Sequence, residues 1–116
     1  DVLVAMNQPS LDKFGPTVRP GGLLLCDSTL AGDASGVKLA DGVELASMPI
    51  TRMAGELGGE RMANIVAAGA LVGLAGLLDP QAVRDSIPEI FAHRPKLVEP
   101  NLKAFDAGLA AAKRGQ

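Results

Sequence analysis

The sequence predicts an α/β fold of three layers, a mainly parallel central sheet with helices on both faces, and three observations carry that reading. Short apolar runs of strand length stand at residues 2–6, 23–26 and 43–48. Each stops abruptly at polar or turn residues, as strands buried on both faces of a parallel sheet do. Helix signals lie between and after these runs, the alternation of a layered α/β domain. The chain has 116 residues, 47% of them hydrophobic and 21% charged, which is the size and composition of one folded domain.

The first run, residues 2–6, reads as a central strand, one buried on both faces. It ends at Asn7-Gln8-Pro9-Ser10, where Ser10 is placed to cap a short helix that closes near Gly15-Pro16. Arg19-Pro20-Gly21-Gly22 predicts a tight turn into the second strand, 23–26, which is followed by Asp27-Ser28-Thr29. Residues 31–42, with Gly32, Asp33, Ser35, Gly36, Asp41 and Gly42, predict an exposed irregular loop or small hairpin. The third strand, 43–48, stops at Pro49; Thr51 is placed to cap a helix that runs to about Leu57 and is ended by Gly58-Gly59.

The longest apolar stretch, 62–78, has Asn64 as its one strongly polar side chain. Its length approaches a membrane span and Gly69 with Gly73 forms GxxxG, but its Ala and Gly richness and the strands around it favour a buried helix with glycines at a close crossing. Asp79-Pro80 marks a helix start, with Val83, Ile87, Ile90 and Phe91 at helical spacing; Pro88 predicts a kink or a split into two short helices. A last helix from about Pro100 to Lys113 presents Leu102, Phe105, Leu109 and Ala112, with Lys113 and Arg114 at its dipole-favoured end.

Charge and composition exclude several functions. Eleven Lys and Arg against 13 Asp and Glu leave a net charge of -2, no footprint for nucleic acid or an anionic membrane. One cysteine (Cys26) and one histidine (His93) make an internal disulfide, a CxxC pair, a four-cysteine cluster or a zinc hydrolase site inaccessible to this chain alone. A lone thiol and the lack of an export-type start point to the cytoplasm. The start at Asp1, directly into an apolar strand, is read as the start of a fragment.

In open parallel sheets ligands bind beyond the carboxyl ends of the strands, which directs attention to Asn7-Gln8, Asp27-Ser28-Thr29 and Thr51-Arg52. Amides position ligands without titrating, so this is a binding vocabulary; turn formation and capping explain Asn7 and Gln8 equally well. Thr51 and Arg52 at a helix start offer N–H groups and a guanidinium to a phosphate or carboxylate, against the simpler reading of a cap and a solvated arginine. Gly58-Gly59-Glu60-Arg61 offers close approach to an anion but lacks any specific phosphate-loop spacing. Asn64, read as buried in an apolar helix, requires a partner, either a backbone carbonyl or a ligand or subunit. Cys26 reads as a small core residue and His93 as a surface cation near a helix end.

Taken in order, DVLVAMNQPSLDKF at 1–14, RPGG at 19–22 with the strand after it, ELGGERMANIVAAGAL at 56–71 and KLVEPNLKAF at 96–105 resemble the gamma subunit of 2-oxoacid (pyruvate or 2-oxoglutarate):ferredoxin oxidoreductases. The resemblance implies a three-layer α/β domain in an enzyme that oxidatively decarboxylates a 2-oxoacid, forms an acyl-CoA and reduces ferredoxin. It places thiamine diphosphate and the iron–sulfur clusters in other subunits or domains, thiamine-binding and ferredoxin-like, and implicates the gamma domain in assembly and, in some members, in handling coenzyme A. Family members begin with a GxGGQG segment that these residues lack, so 1–116 is expected to be the C-terminal two thirds of a single gamma-type domain. Asn7, Gln8 and Asn64 match polar positions of the family pattern, and Pro88 departs from its usually unbroken helix.

The sequence therefore predicts an accessory subunit, inactive alone, with no catalytic residue or metal and with Asn7, Gln8, Thr51, Arg52 and Asn64 as cofactor-positioning residues. Its partners are the other oxidoreductase subunits and, through them, ferredoxin; the apolar Ala-rich helices also allow self-association. The alternatives are a stand-alone nucleotide- or CoA-binding module and a purely structural interaction domain.

Overall fold

The computed structural model describes residues 2–30, 36–76 and 78–114, with the backbone alone at 113 and 114. The chain divides into two compact units, Asp1–Pro49 and Ile50–Gln116.

The first unit is a parallel sheet. Its strands are β1 (Val2–Ala5), β2 (Leu23–Asp27) and β3 (Glu44–Met48), in the order β1-β2-β3. Leu24 pairs with Leu3 on one side and Leu45 on the other, and Cys26 with Ala5 and Ser47. All five residues of β2 are buried, whereas β1 and β3 are partly exposed. Among the described residues β2 is the strand paired on both sides, while β1, read as a central strand, lies at an edge of the three-stranded sheet and is partly exposed; apolarity alone does not reveal which run is flanked.

Helix α1 (Gln8–Phe14) follows β1 and starts earlier than Ser10 suggested. Its cap is Asn7, whose extended backbone lets Oδ1 accept the Ser10 N–H at 2.9 Å. The turn at 19–22 forms as expected. Gly21 has φ +80°, which only glycine adopts freely, and the Gly22 N–H bonds the Arg19 carbonyl at 2.9 Å, closing a Pro-Gly turn of type II. The core of this unit gathers Ala5, Leu11, Val18, Leu24 and Cys26, with Leu3, Val37, Leu39 and Val43 packed against it. Val37 and Leu39 therefore correct the reading of 31–42 as an exposed loop; residues 31–35, with Gly32, Asp33 and Ser35, lie outside the described residues.

The second unit is helical: α2 (Ile50–Leu57), α3 (Ala63–Ala75), α4 (Pro80–Ile90) and α5 (Val98–Arg114), with short 3-10 turns at Glu60–Met62 and Pro95–Leu97. Thr51 lies inside α2 rather than capping it, because Ile50 already belongs to the helix. Asp79 caps α4 as expected, its Oδ1 accepting the Gln81 N–H at 3.0 Å. Pro88 does not divide α4 into two helices; it sits in the last turn, where the hydrogen bond it forfeits is followed by little further helix. Ile90, expected on the inner face, is 58% exposed.

The apolar stretch forms α3 and ends at Gly76, whose φ of +65° and N–H to the Val72 carbonyl make a left-handed cap. Its glycines meet α5 at very close range. A Cβ on Gly69 would overlap the carbonyl oxygen of Phe105, and one on Gly108 would overlap that of Val66. At Gly73 it would stand 2.8 Å from the Cβ of Ala112. Missing side chains let the two backbones touch, and Val72, Ile87 and Phe105 fill the core beside the crossing with Ile65, Val83, Leu102 and Leu109. This is the buried helix that the composition favoured; among the described residues no helix is long and apolar enough to cross a membrane. Arg84 joins α4 to α5 through a two-pronged pair with Asp106, at 3.0 and 3.2 Å. The side chains of Lys113 and Arg114 lie outside the described residues.

Candidate functional site

The carboxyl ends of the three strands gather the first group of candidate residues. The Gln8 N–H bonds the Leu30 carbonyl at 3.2 Å and the Ser28 N–H bonds that of Met48 at 2.9 Å, so the segments after β1 and β2 and the end of β3 share one edge. Asn7 is exposed there with Oδ1 engaged in capping. Gln8 is half-buried and its Nε2 donates to Asp12 at 2.8 Å. Both residues border solvent, in the geometry of a helix start. An open depression beside them is lined by Gln8, Asp12, Pro16 and Lys38, among others.

Asp27 ends β2 at this edge but turns its side chain inward. Its side chain is wholly buried and Oδ1 accepts the Thr29 N–H at 3.1 Å, so it shapes the turn after β2. Cys26 beside it is 1% exposed, and burial pushes its thiol above the ordinary range, away from the reactive thiolate.

The second group lies in the helical unit. Arg52 is on the exposed face of α2, 3.9 Å from Glu56 one turn later, and Thr51 is half-buried beside it. Asn64 is exposed, which corrects its reading as a buried amide in need of a partner: the first turn of α3 is apolar in sequence, but this position faces outward. It opens instead onto a cavity of about 390 Å³ where α3 and α5 begin and α4 ends. The polar lining is Arg61, Asn64, Arg94 and Asn101, with Gly58 and Gly59 forming one wall. Met62, Ile65, Phe91, Leu97 and Pro100 supply apolar surface. No carboxylate lines it, and among the described residues neither arginine has an ion pair. Asn101 is 4% exposed and its Nδ2 donates to the Leu97 carbonyl at 2.7 Å, which fixes its amide at the wall.

The structure thus places Asn7 and Gln8 in one unit and Thr51, Arg52 and Asn64 in the other, and Asn64 lines the 390 Å³ cavity. The sequence pointed to Arg61 through the Gly58-Gly59-Glu60-Arg61 segment. Arg94 and Asn101 it missed, because 30 to 40 residues separate them from that segment and no local pattern links them. No group of three or more His, Cys, Asp or Glu suited to a metal exists among the described residues.

Three parallel strands followed by helices, with amide side chains at the strand ends and a cavity lined by two arginines in the helical unit, define an α/β protein. Comparison with known proteins narrows this. The family model for pyruvate ferredoxin/flavodoxin oxidoreductase matches residues 1–111, and the chain belongs to that family. The ketoisovalerate oxidoreductase subunit VorA of Methanothermobacter thermautotrophicus is 42% identical over 110 residues, 93% of this chain and 22% of that protein. The 2-oxoglutarate synthase subunit KorC of Methanocaldococcus jannaschii is 31% identical over 118 residues, 97% of this chain and 59% of that protein.

Among solved structures, the gamma subunit of a keto/oxoacid ferredoxin oxidoreductase from Geobacter sulfurreducens PCA has a TM-score of 0.76 at 34% identity, over 98% of this chain and 64% of its own. The 2-oxoglutarate:ferredoxin oxidoreductase from Magnetococcus marinus, solved with 2-oxoglutarate, coenzyme A and succinyl-CoA bound, has a TM-score of 0.81 at 28% identity, over 98% and 20%. The α/β fold matches that of the oxidoreductase gamma subunit. The chain spans less than two thirds of each of these relatives.

Proposed function

We propose that this chain is the gamma part of a 2-oxoacid:ferredoxin oxidoreductase, an accessory element of an enzyme that decarboxylates a 2-oxoacid oxidatively, forms an acyl-CoA and reduces ferredoxin. The observation that carries this reading is the likeness to a solved gamma subunit, which covers 98% of the chain. The one thiol, Cys26, is buried and burial pushes its pKa up, and the one histidine is exposed beyond α4. The family resemblance assigns thiamine diphosphate and the clusters to other subunits or domains, while this chain supplies assembly surface and positions coenzyme A.

Of the five positioning residues proposed for that role, Gln8 and Asn64 carry it furthest: one lies at the strand ends, the other faces the cavity. Asn7 and Arg52 have local roles, a cap and a pairing with Glu56, and Thr51 stands beside Arg52 within α2.

The test is an anaerobic affinity pull-down of the full-length protein from its native cells, with the recovered material assayed for thiamine diphosphate and iron. A thiamine- and iron-containing complex is expected. Recovery of the protein alone, under conditions that preserve other complexes, would replace this reading with a stand-alone binding module. In the assembled enzyme, Asn64→Ala should raise the KM for coenzyme A with kcat little changed; an unaltered KM removes Asn64 from the role.

A further inference from the structure

We infer that Asp12 is a positioning residue for Gln8. It turns the Gln8 amide so that the carbonyl oxygen is offered to a hydrogen-bond donor of the ligand, which assigns the depression at the strand ends to the uncharged, amide-bearing arm of coenzyme A and not to its phosphates. The inference rests on the reading above, in which Gln8 positions coenzyme A, and adds the residue that orients the amide and the ligand chemistry that this orientation selects. Gln8 and Asp12 stand one turn apart on α1, and Nε2 of Gln8 donates to Oδ1 of Asp12 at 2.8 Å. A carboxylate accepts and does not donate, so it draws the NH2 half of the amide toward itself and turns the carbonyl half away. Without that neighbour the two halves are nearly equal in shape, and either one can face a ligand.

The main chain of Gln8 is fixed as well. Its N–H bonds the Leu30 carbonyl at 3.2 Å, the Leu30 N–H bonds the Asp27 carbonyl at 3.1 Å, and the buried Asp27 side chain accepts the Thr29 N–H at 3.1 Å. Held by this turn at its backbone and by Asp12 at its amide, Gln8 has little rotamer freedom left to lose when a ligand arrives. The surroundings select the ligand group. Among the described residues, Asp12 and Lys38 are the charged side chains of the depression, and their charges cancel. A phosphate finds no net cation there and meets the Asp12 carboxylate as like charge to like, whereas an amide N–H or a hydroxyl meets an acceptor. Pro16 and Val37 supply apolar surface in the same lining for the aliphatic part of such an arm.

Steady-state kinetics of the assembled oxidoreductase, carrying the full-length protein, test this through KM and kcat for coenzyme A. Gln8→Ala and Asp12→Ala are each expected to raise KM about fivefold with kcat unchanged. Asp12→Asn, whose Oδ1 still accepts from Nε2, should stay within about twofold of the wild type. The Gln8→Ala/Asp12→Ala double variant should be no worse than Gln8→Ala alone, because Asp12 acts through Gln8. Gln8→Arg, which puts a cationic donor where the amide oxygen stood, should raise KM at least as much as Gln8→Ala. Asp12 is exposed, so the fold survives its replacement, and an unchanged thermal transition verifies that. A wild-type KM in Gln8→Ala would overturn the reading on which the proposal rests. With KM raised in Gln8→Ala, a wild-type KM in Asp12→Ala, a loss in Asp12→Asn equal to that in Asp12→Ala, or full additivity in the double variant would each overturn the positioning role alone. A KM lowered by Gln8→Arg would place a phosphate opposite Gln8 and overturn the assignment to the uncharged arm.

Discussion

The sheet unit and the helical unit reach a packed core by opposite means. In the first, β2 is buried along its length by bulk, with Leu24 fully enclosed between paired strands and Leu11 from α1 in the same cluster. In the second, the closest approach depends on side chains that are absent, since Gly69 and Gly108 let the backbones of α3 and α5 touch. One core fails when atoms are removed and the other when atoms are added. The difference shows why a single rule about large apolar residues describes only half of this protein.

The largest effect expected from this contrast is at the centre of the sheet. Leu24→Ala should cost about 3 kcal/mol in urea unfolding, whereas Leu45→Ala next to it on β3, 45% exposed, should cost less than about 1 kcal/mol. Equal losses at the two positions would mean that burial by pairing does not distinguish β2 from its neighbour.

Gly69→Ala comes next. Alanine gains about 1 kcal/mol of helix propensity over glycine, yet the new methyl group meets the Phe105 carbonyl, so a net loss of about 2 kcal/mol is expected in thermal unfolding. A stabilised Gly69→Ala variant would show that the helices do not cross as described. Gly76→Ala has open space around its Cβ and loses only the left-handed backbone preference, about 1 kcal/mol. Asn7→Ala should cost a similar amount, about 1 kcal/mol, and Asn7→Ser almost nothing, because serine caps α1 as well. If serine proves as damaging as alanine, Asn7 serves more than the cap.

The smallest effect concerns pH. Burial raises the Cys26 pKa in the folded state above its unfolded value, so its contribution to stability is fully present below the ordinary thiol range and declines as the pH rises through it. A thiol reagent at neutral pH should label Cys26 only as fast as the chain opens; immediate labelling of the native protein would contradict its place in the sheet core.

Much of this was legible because it is local. The three apolar runs became the three strands, Arg19-Pro20-Gly21-Gly22 became a turn, and Asp79-Pro80 opened α4. Errors came where neighbours decide. Asn7 displaced Ser10 as the cap because the backbone leaving β1 is already extended at Asn7 and helical by Gln8. Asn64 looked buried because the residues around it are apolar, but a helix turns about 100° per residue and this position falls on the outer side. The cavity was half visible: Gly58 to Arg61 drew attention as an anion-approach segment, while Arg94 and Asn101 joined it only through the folding of α4 and α5 beside α3.

By itself the sequence determined the class of fold, the polar edge at the strand ends and the succession of segments that resembles an oxidoreductase gamma subunit. Each of these rests on composition or on residues close together in the chain. Tertiary structure decided which strand is central, which glycines must remain glycines, and that two distant arginines share one cavity without a carboxylate between them. The reason is physical: strand order, helix crossing and charge pairing are set by contacts between residues far apart in sequence, and no local pattern specifies which partner each residue meets.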